Sequence, residues 1–103
     1  MNLAIVLLNW NGEILLKKFL PTLVNRSSKS KIYIIDNGST DGSIQYVQNN
    51  FKNINCILLN KNYGFSTGYN LGLKNIKADL YCLINTDVEV TENWIQPVLN
   101  RFK

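Results

Sequence analysis

Four short runs of apolar residues divide the chain at similar intervals. They are "LAIVLL" at 3–8, "IYII" at 32–35, "CILL" at 56–59 and "LYCLI" at 80–84. The runs are nearly continuous rather than alternating, and they are rich in isoleucine, valine and leucine. This pattern is typical of parallel strands that are buried on both faces. The sequence therefore predicts four strands of a parallel sheet.

The segments that follow these runs carry apolar residues at the spacing of one helix face. The four stripes contain Leu15, Leu16, Phe19, Leu20, Leu23 and Val24; Ile44, Val47 and Phe51; Tyr69, Leu73 and Ile76; and Trp94, Ile95, Val98, Leu99 and Phe102. Pro21 should kink or interrupt the first helix. Ser39 or Thr40 should cap the second helix, with Asp41 in its first turn.

Strands and helices therefore alternate along the whole chain. This alternation favours an α/β fold with a doubly wound, mainly parallel sheet and right-handed crossovers. A length of 103 residues is enough for one small domain and too short for two. Hydrophobic residues make up 46% of the chain and charged residues 17%, which excludes a disordered tail.

Composition also limits the chemistry. The net charge of +4 comes with scattered lysines, a pattern that suits weak attraction to phosphate groups but not a nucleic-acid-binding arm. The absence of histidine excludes Ser-His and Cys-His nucleophile pairs and His-ligated zinc. A bound metal would need oxygen ligands, which favours magnesium, manganese or calcium. Cys56 and Cys82 lie inside apolar runs, and we predict that both are buried free thiols.

Polar side chains follow each apolar run. These are Asn9, then Asp36 and Asn37, then Asn60, and finally the segment 85–87. The carboxyl ends of parallel strands lie along one edge, where ligands of doubly wound sheets bind. Asn and Asp are also common where strands turn into loops, but the charges of the two aspartates are not needed in a simple turn. We therefore expect these residues to surround one cleft.

The third connection, "NKNYGFSTGYNLG" at 60–72, is rich in glycine. Glycine lets a backbone approach a ligand or a neighbouring element closely, and the helix that follows offers free N–H groups that suit a phosphate. The spacing matches neither the P-loop nor the dinucleotide fingerprint. We expect Gly72 to allow close helix packing and Asn70 to point at a ligand.

Four segments together resemble one protein family. They are "IVLLNWNG" (5–12), "IIDNGSTDGS" (34–43), "NYGFSTGYNLGL" (62–73) and "LINTDVEV" (83–90). In this order and spacing they resemble the N-terminal half of a family 2 glycosyltransferase, and especially its bacterial rhamnosyltransferase-like branch. The resemblance implies a GT-A, Rossmann-like sheet in the order 3-2-1-4. It also implies that residues 1–103 form one domain that binds a nucleotide diphosphate sugar.

The resemblance also assigns the residues that would bind the nucleotide. It implies contacts to the base, ribose and diphosphate from Asn9, Trp10, Asn11, Asp36, Asn62, Gly64, Asn70 and Asn85. Asp36 would accept the imide hydrogen of a pyrimidine ring, which is reasonable chemistry for a carboxylate. Ser39 and Asp41 would hold the turn and cap the second helix.

The segment "NTD" at 85–87 stands where the family has its Asp-x-Asp motif. The resemblance implies that Asp87 binds Mn²⁺ or Mg²⁺ bridging the donor diphosphate, which would neutralise the leaving group. Asn85 replaces the first aspartate, so it could bond to a ribose hydroxyl but would bring no charge. Glu89 could add a ligand, although we interpret it as a solvated side chain.

No segment matches the general base of this family, which lies with most of the acceptor site in the second half of the fold. We therefore assign no catalytic residue and expect a piece of a longer protein, inactive by itself. That protein would transfer a hexose from a UDP- or dTDP-linked donor, with inversion, to an unknown glycan or lipid-linked acceptor in cell-surface polysaccharide biosynthesis. We expect it in the cytoplasm, with the full-length protein able to associate with the membrane, and no nucleic acid partner.

Two other functions remain in competition. The chain could be a non-catalytic α/β module that binds a nucleotide or another protein. A Rossmann-like or receiver-like regulatory domain is disfavoured, because there is no early glycine fingerprint and the first strand lacks a receiver's acidic pair. An unpaired sheet edge and an apolar face would favour self-association in any of these cases.

Overall fold

The computed structural model describes residues 2–27 and 30–101. Strands and helices alternate along the chain, as the apolar pattern predicts. The elements are β1 (Leu3–Asn9), α1 (Glu13–Asn25), β2 (Lys31–Asp36), α2 (Ser43–Asn50), β3 (Asn55–Leu58), α3 (Phe65–Leu73), β4 (Leu80–Ile84) and α4 (Ile95–Asn100).

The four strands form one parallel sheet in the order β3-β2-β1-β4. The predicted fold class and strand order are confirmed. In the pairing of β1 with β2, Asn9 lies opposite Asp36 at the carboxyl end. The register therefore places two polar side chains side by side where the two central strands finish.

Helices cover both faces of the sheet. On one face, Leu16 and Leu20 of α1 and Val47 of α2 pack with Ile5 of β1. On the other face, α3 packs against the alternate residues of the strands through Tyr69. A Cβ atom at Gly72 would overlap the Ile35 side chain, so this glycine allows the close approach of α3 that the sequence predicts. Ile76 lies beyond the end of α3 but is buried in the same cluster.

Of the two effects predicted for Pro21, a kink or an interruption of the first helix, the interruption is wrong. Helix α1 continues from Glu13 to Asn25 with Pro21 inside it. Proline removes one backbone donor and crowds the preceding turn, but Leu20 and Leu23 on either side of it are buried against the sheet. Tertiary packing therefore maintains the helix through the proline.

The two edge strands, β3 and β4, differ from the expectation that every strand is buried on both faces. No residue of β3 is buried, and Leu58 is 59% exposed. In β4, Tyr81 is 43% exposed and Leu83 is 49% exposed, whereas Ile84 is buried. Cys82 of β4 and Cys56 of β3 lie on the opposite edge strands, and both are free and half-buried. Burial raises the pKa of each thiol, with a further contribution at Cys56 from the charge of Asp36. The prediction of free thiols is confirmed, although neither is fully buried.

The segment after β4 returns to the end of α1. The Arg26 guanidinium donates to the carbonyl of Val90 at 2.6 Å, and Trp94 Nε1 donates to Ser27 Oγ at 2.9 Å. Phe102, predicted to belong to the last apolar stripe, lies outside the described residues. Within residues 2–27 and 30–101, no helix has the length and apolar character needed to cross a membrane.

Candidate functional site at the carboxyl edge of the sheet

The side chain of Asn9 links the end of β1 to the loop between β2 and α2. Its amide nitrogen Nδ2 donates to Asp36 Oδ1 at 3.0 Å, to Ser43 Oγ at 2.9 Å and to Ser39 Oγ at 3.2 Å. The residue is 0% exposed. In this structure the buried Asn9 side chain therefore supports Asp36, Ser39 and Ser43 through hydrogen bonds, and a direct contact with a nucleotide stays a prediction.

Asp36 is held by hydrogen bonds on both carboxylate oxygens. Oδ1 accepts from Asn9 and, at 2.6 Å, from the Ser39 hydroxyl, while Oδ2 accepts from the backbone N–H of Ser39 at 3.1 Å. Only 5% of the residue is exposed. A carboxylate oxygen has room for more than one hydrogen bond, so Oδ2 keeps capacity for one further donor.

Asn11 organises the same connection from the loop after β1. It has a left-handed backbone, with φ of 50°, and its Oδ1 accepts from the N–H groups of Thr40 at 2.7 Å and Asp41 at 3.2 Å. Its own N–H donates to Ser39 Oγ at 2.9 Å. Ser39 and Thr40 are thus engaged by Asn9, Asn11 and Asp36. The prediction that either caps α2 is wrong, because α2 begins at Ser43.

Two carboxylates link the beginnings of α1 and α2. The N–H of Glu13 donates to Asp41 Oδ2 at 3.1 Å, and the N–H of Gly42 donates to Glu13 Oε1 at 3.0 Å. Asp41 Oδ1 also accepts from the N–H of Ser43 at 3.0 Å. Negative charge is favourable at a helix N-terminus, so both acids stabilise the helix starts next to the strand ends. Asp41 therefore supports the start of α2, as the resemblance implies.

The hydrogen bonds of these two acids also affect their ionisation. Burial alone would raise the pKa of Asp41, but hydrogen bonds from the hydroxyl and N–H of Ser43 and from the N–H of Glu13 hold it below its usual value. The pKa of Glu13 is lowered, first by the hydrogen bond from Lys17 and then by the N–H of Gly42. Both side chains therefore favour the charged form that the helix starts require.

Asn37 performs a similar task for the loop before α3. It is 2% exposed, and its Nδ2 donates to Asn62 Oδ1 at 3.1 Å and to the Gly64 carbonyl at 2.9 Å. Its Oδ1 accepts from the N–H of Tyr63 at 3.0 Å. Sequence reasoning missed this role. The available signal was the position of Asn37 directly after Asp36, at the end of a central strand.

Two glycines with left-handed backbones shape these loops. Gly38 has φ of +75°, and a Cβ atom there would lie 2.6 Å from the backbone of Lys61. Gly64 has φ of +81°, and a Cβ atom there would have no neighbour within 4 Å. Gly38 therefore allows two loops to touch, whereas Gly64 leaves open space at the start of α3.

The fourth strand end is built differently. Asn85 and Asp87 are exposed and Thr86 is half-buried. The turn is closed by a backbone bond of 3.4 Å from the N–H of Val88 to the carbonyl of Asn85. A Cβ atom at Gly12 would lie 3.8 Å from Thr86 Oγ1 and would overlap Asn9 Oδ1. The end of β4 thus lies near the loop after β1.

The residues at this end of β4 are compatible with a metal shared with a ligand. Among residues 2–27 and 30–101, no three His, Cys, Asp or Glu side chains group together as a ligand set. Asp87 by itself offers one carboxylate. Magnesium bound to a phosphorylated ligand commonly uses one or two carboxylates, with phosphate and water oxygens completing the shell. The donor set therefore fits a cation bridging to a diphosphate and does not fit a closed protein cage.

A groove of about 410 Å³ lies beside Asp36. Its lining comes from the end of β2, the connection to α2, one side of α2 and the end of β3. The lining residues are Asp36, Ser39, Thr40, Asp41, Ile44, Gln45, Gln48 and Leu58. Trp10 follows β1 with 55% of its surface exposed, and Asn70 is exposed on α3.

The structure therefore brings the predicted residues together in two groups. Asn9, Asn11 and Asp36 are linked through Ser39, and Asn62 and Gly64 are linked through Asn37. Trp10, Asn70, Asn85 and Asp87 are exposed residues that follow strands or, for Asn70, lie on α3. Within the described ranges, Asp87 makes no side-chain hydrogen bond to either group.

Comparisons with known proteins agree with this architecture. The family described as Glycosyl transferase family 2 matches residues 4–103. Among curated proteins, no sequence matches the chain. The fold is similar to that of S. aureus TarS 1-349, with a TM-score of 0.84 and 18% sequence identity, over 97% of this chain and 32% of that one. The chain thus spans about a third of the length of TarS 1-349 and 19% of the longer TarS chain.

Two further similar structures contain ligands. S. aureus TarS 1-349 in complex with UDP-GlcNAc gives a TM-score of 0.83 at 19% identity, over 97% of this chain and 30% of that one. The mannosyltransferase PcManGT from Pyrobaculum calidifontis, in complex with GDP-Man and Mn²⁺, gives 0.75 at 14% identity, over 85% of this chain and 28% of that one. At these identities the likeness shows a shared GT-A-like fold.

Proposed function

The chain belongs to glycosyl transferase family 2, and we propose that it is the donor-binding part of an enzyme that transfers a sugar from a UDP- or dTDP-linked donor. In the full-length protein the transfer would proceed with inversion to a glycan or lipid-linked acceptor. We place the protein in the rhamnosyltransferase-like branch, with a hexose as the transferred sugar. The full-length protein would take part in cell-surface polysaccharide synthesis in a bacterium. It would be located in the cytoplasm and would associate with the membrane.

One observation carries the proposal: Asp36 is among the residues that line the groove at the carboxyl edge, and its Oδ2 has room for one more hydrogen bond. A pyrimidine ring with an imide N–H supplies the donor that this oxygen lacks. The exposed indole of Trp10 offers a flat apolar surface on which the ring could stack. The complex of TarS with UDP supports a pyrimidine nucleotide as the ligand class.

The loop before α3 would receive the diphosphate. Gly64 leaves open space at the start of this nine-residue helix, so a phosphate could approach the free N–H groups of the first turn. Asn62 and Gly64 are held in place by Asn37. Asn70 lies one turn or more into the helix and would reach the ligand with its amide.

Asp87 would hold Mn²⁺ or Mg²⁺ against the diphosphate, with Asn85 bonding to the ribose. When bound, such a cation neutralises the negative charge that develops on the leaving diphosphate. The mannosyltransferase in complex with GDP-Man and Mn²⁺ supports a divalent cation in this fold. Because Asn85 stands in place of a second carboxylate, we expect the cation to bind weakly without nucleotide.

Titration calorimetry of the 103-residue chain with UDP and dTDP, with and without Mn²⁺, tests the donor site. We expect both nucleotides to bind, and more tightly in Mn²⁺. Asp36→Ala should weaken binding by about tenfold or more in either condition, because one hydrogen bond to a charged group is lost. The absence of nucleotide binding by the wild type would contradict the proposed function.

The same titration tests the metal assignment. Asp87→Ala should bind nucleotide equally with and without Mn²⁺, because Asp87 is the one carboxylate assigned to the cation and the described residues hold no group of three potential ligands. Glu89→Ala is the matched control, since Glu89 is another exposed carboxylate two residues away, and it should keep the dependence on Mn²⁺. Retained dependence in Asp87→Ala would remove Asp87 from the metal site.

We expect this chain by itself to transfer no sugar, because no residue in it is assigned as general base. An assay with labelled nucleotide sugar and water or a simple glycan as acceptor would reveal any turnover. Turnover by the isolated chain would show that a base is present in it. Nucleotide binding without transfer by the full-length protein would instead favour a non-catalytic nucleotide-binding module.

A further inference from the structure

We propose that Asn9 is a positioning residue that fixes the direction of the hydrogen bonds around Asp36 and so presents one carboxylate oxygen to the nucleobase. This inference rests on the proposed function, since it concerns how the same site selects its ligand. It assigns Asn9 a role without contact to the ligand, in agreement with its complete burial.

The directions follow from counting hydrogen atoms. Each serine hydroxyl has a single hydrogen to donate. Ser39 donates its hydrogen to Asp36 Oδ1 at 2.6 Å, and Ser43 donates its hydrogen to Asp41 Oδ1 at 2.5 Å. Both hydroxyl oxygens are left as acceptors, and Asn9 Nδ2 lies 3.2 Å from the first and 2.9 Å from the second. Asn9 therefore joins two Ser-Asp pairs as a donor, and its two amide hydrogens are shared among three oxygens, those of Asp36 Oδ1, Ser39 Oγ and Ser43 Oγ.

The other end of the Asn9 amide carries a cost that this assignment must outweigh. Asn9 Oδ1 is buried and has no hydrogen-bond partner within the part of the chain that the structure describes. An unpaired buried acceptor costs free energy. Exchanging the two ends of the amide would place its oxygen against Asp36 Oδ1 and two hydroxyl oxygens that have already given up their hydrogens. The donor requirement on one side thus outweighs the unpaired acceptor on the other.

Gly12 leaves the room that the outer end of the Asn9 amide needs. A Cβ atom at that position would overlap Asn9 Oδ1, so the amide oxygen occupies space that only glycine leaves free. The amide thus lies between Gly12 on its oxygen side and three oxygen acceptors on its nitrogen side. Its direction is therefore fixed before any ligand binds.

The consequence for Asp36 is an unequal use of its two oxygens. Oδ1 receives two donors, Asn9 and the Ser39 hydroxyl, whereas Oδ2 receives only the N–H of Ser39. Without Asn9, Oδ1 would keep only the Ser39 hydroxyl of its two donors, and the carboxylate would be held less firmly in its present orientation. Asn9 should therefore control how strongly the site demands an imide N–H from its ligand.

A pair of nucleotides measures this demand directly. UDP carries the imide hydrogen, and N3-methyl-UDP carries a methyl group in its place. By calorimetry we expect the wild-type chain to prefer UDP by about tenfold or more, and Asn9→Leu and Asn9→Asp to reduce the preference to about twofold or less. Asn53→Asp, the same chemical change at an exposed asparagine, should leave the preference unaltered. General loosening of the fold would weaken both nucleotides equally and would not change their ratio.

The outcomes separate this inference from the proposed function. If the wild type binds neither nucleotide, the proposed function is wrong. If the wild type discriminates and both Asn9 variants discriminate equally well, the positioning role is wrong. Should the Asn9 variants fail to fold by circular dichroism, Ser39→Ala decides the matter. It should weaken both nucleotides yet keep most of the preference, because Asn9 still anchors Oδ1. Loss of the preference in that variant would overturn the inference.

Discussion

The two sides of the carboxyl edge are built on different principles. On the side formed by β1 and β2, buried amides and carboxylates join three loops, as the contacts of Asn9, Asp36 and Asn37 illustrate. On the β4 side, Asn85 and Asp87 are exposed, and one long backbone bond closes the turn. The first side is therefore arranged before any ligand binds, while the second is free to adjust.

The positions of the strands explain this difference. The ends of β1 and β2 lie between the starting turns of helices on both faces of the sheet, so their polar groups are cut off from water and must find partners. The end of β4 lies at an edge, beside a face where Tyr81 and Leu83 remain exposed. Burial forces pairing on one side, and exposure leaves the other side to water or to a ligand.

The largest effect should come from Gly38→Ala, because it affects the closest backbone contact of the hydrogen-bonded side. The left-handed backbone and the overlap with Lys61 together should lower the free energy of unfolding by about 3 kcal/mol. Urea unfolding followed by circular dichroism measures this loss. Gly64→Ala is the control, since it has a similar φ but no neighbour within 4 Å, and it should cost about 1–2 kcal/mol. Equal losses would mean that the contact between the loops contributes nothing.

A smaller effect should come from Asn37→Ala, which removes three hydrogen bonds of a buried side chain. Leaving Asn62, Tyr63 and Gly64 without these partners should lower the free energy of unfolding by about 2 kcal/mol. The same change at the exposed Asn85 should alter it by less than about 0.5 kcal/mol. Comparable losses in the two variants, again by urea unfolding, would break the distinction between the two sides.

Acid should weaken the hydrogen-bonded side through Asp41. The pKa of Asp41 lies below its ordinary value of 3.8 in the folded chain, so folding favours the charged form. This contribution is complete above the ordinary pKa and is lost as the pH falls through the lowered one. Unfolding free energies measured from about pH 6 down to about pH 2 should therefore fall less steeply in Asp41→Asn than in the wild type. Curves of equal slope would show that Asp41 does not contribute.

The smallest effect on stability should come from Asp87→Asn, on the exposed side. Without ligand, its free energy of unfolding should differ from that of the wild type by less than about 0.5 kcal/mol. With UDP and Mn²⁺ present, the wild type should gain more in Tm than the variant, because only a ligand bound to the folded state stabilises it. A marked loss of stability in the absence of ligand would mean that Asp87 has a structural partner.

Much of the fold could be predicted from the sequence, because buried strands require apolar residues and these are visible in the sequence. The continuous apolar runs mark the strands, and the parallel arrangement places Asn9 and Asp36 at one edge of the sheet, where the pairing of β1 with β2 sets them opposite each other. The exposed face of β4 could not be predicted, since "LYCLI" has the same apolar character as the other runs. What covers a strand depends on which helix returns to it, and α3 packs with β1 and β2.

The site was predicted less completely, because polar side chains choose among partners that only the folded chain supplies. Ser39 and Thr40 carry the chemistry of helix caps, yet Asn11 and Asp36 engage them first. Asn37 resembles any residue that follows a strand, and its role depends on a loop more than twenty residues away in the sequence. Contacts across the edge of the sheet leave no local pattern from which they could be read.

The order of the strands has a consequence for how the molecule is assembled during synthesis. Strand β1 is made first, yet it pairs with β4, and the N–H of Asn2 bonds to Asp79 across 77 residues of sequence. Strands β1, β2 and β3 can pair as soon as they leave the ribosome. Strand β4 can pair with β1 only after the chain between them, from α1 to α3, has been synthesised and has brought its two ends together. The residues of the Asp36 side of the edge are thus synthesised before Asp87. In the interval, one edge of β1 is unpaired, and a slow β4 would expose the nascent chain to association with its neighbours.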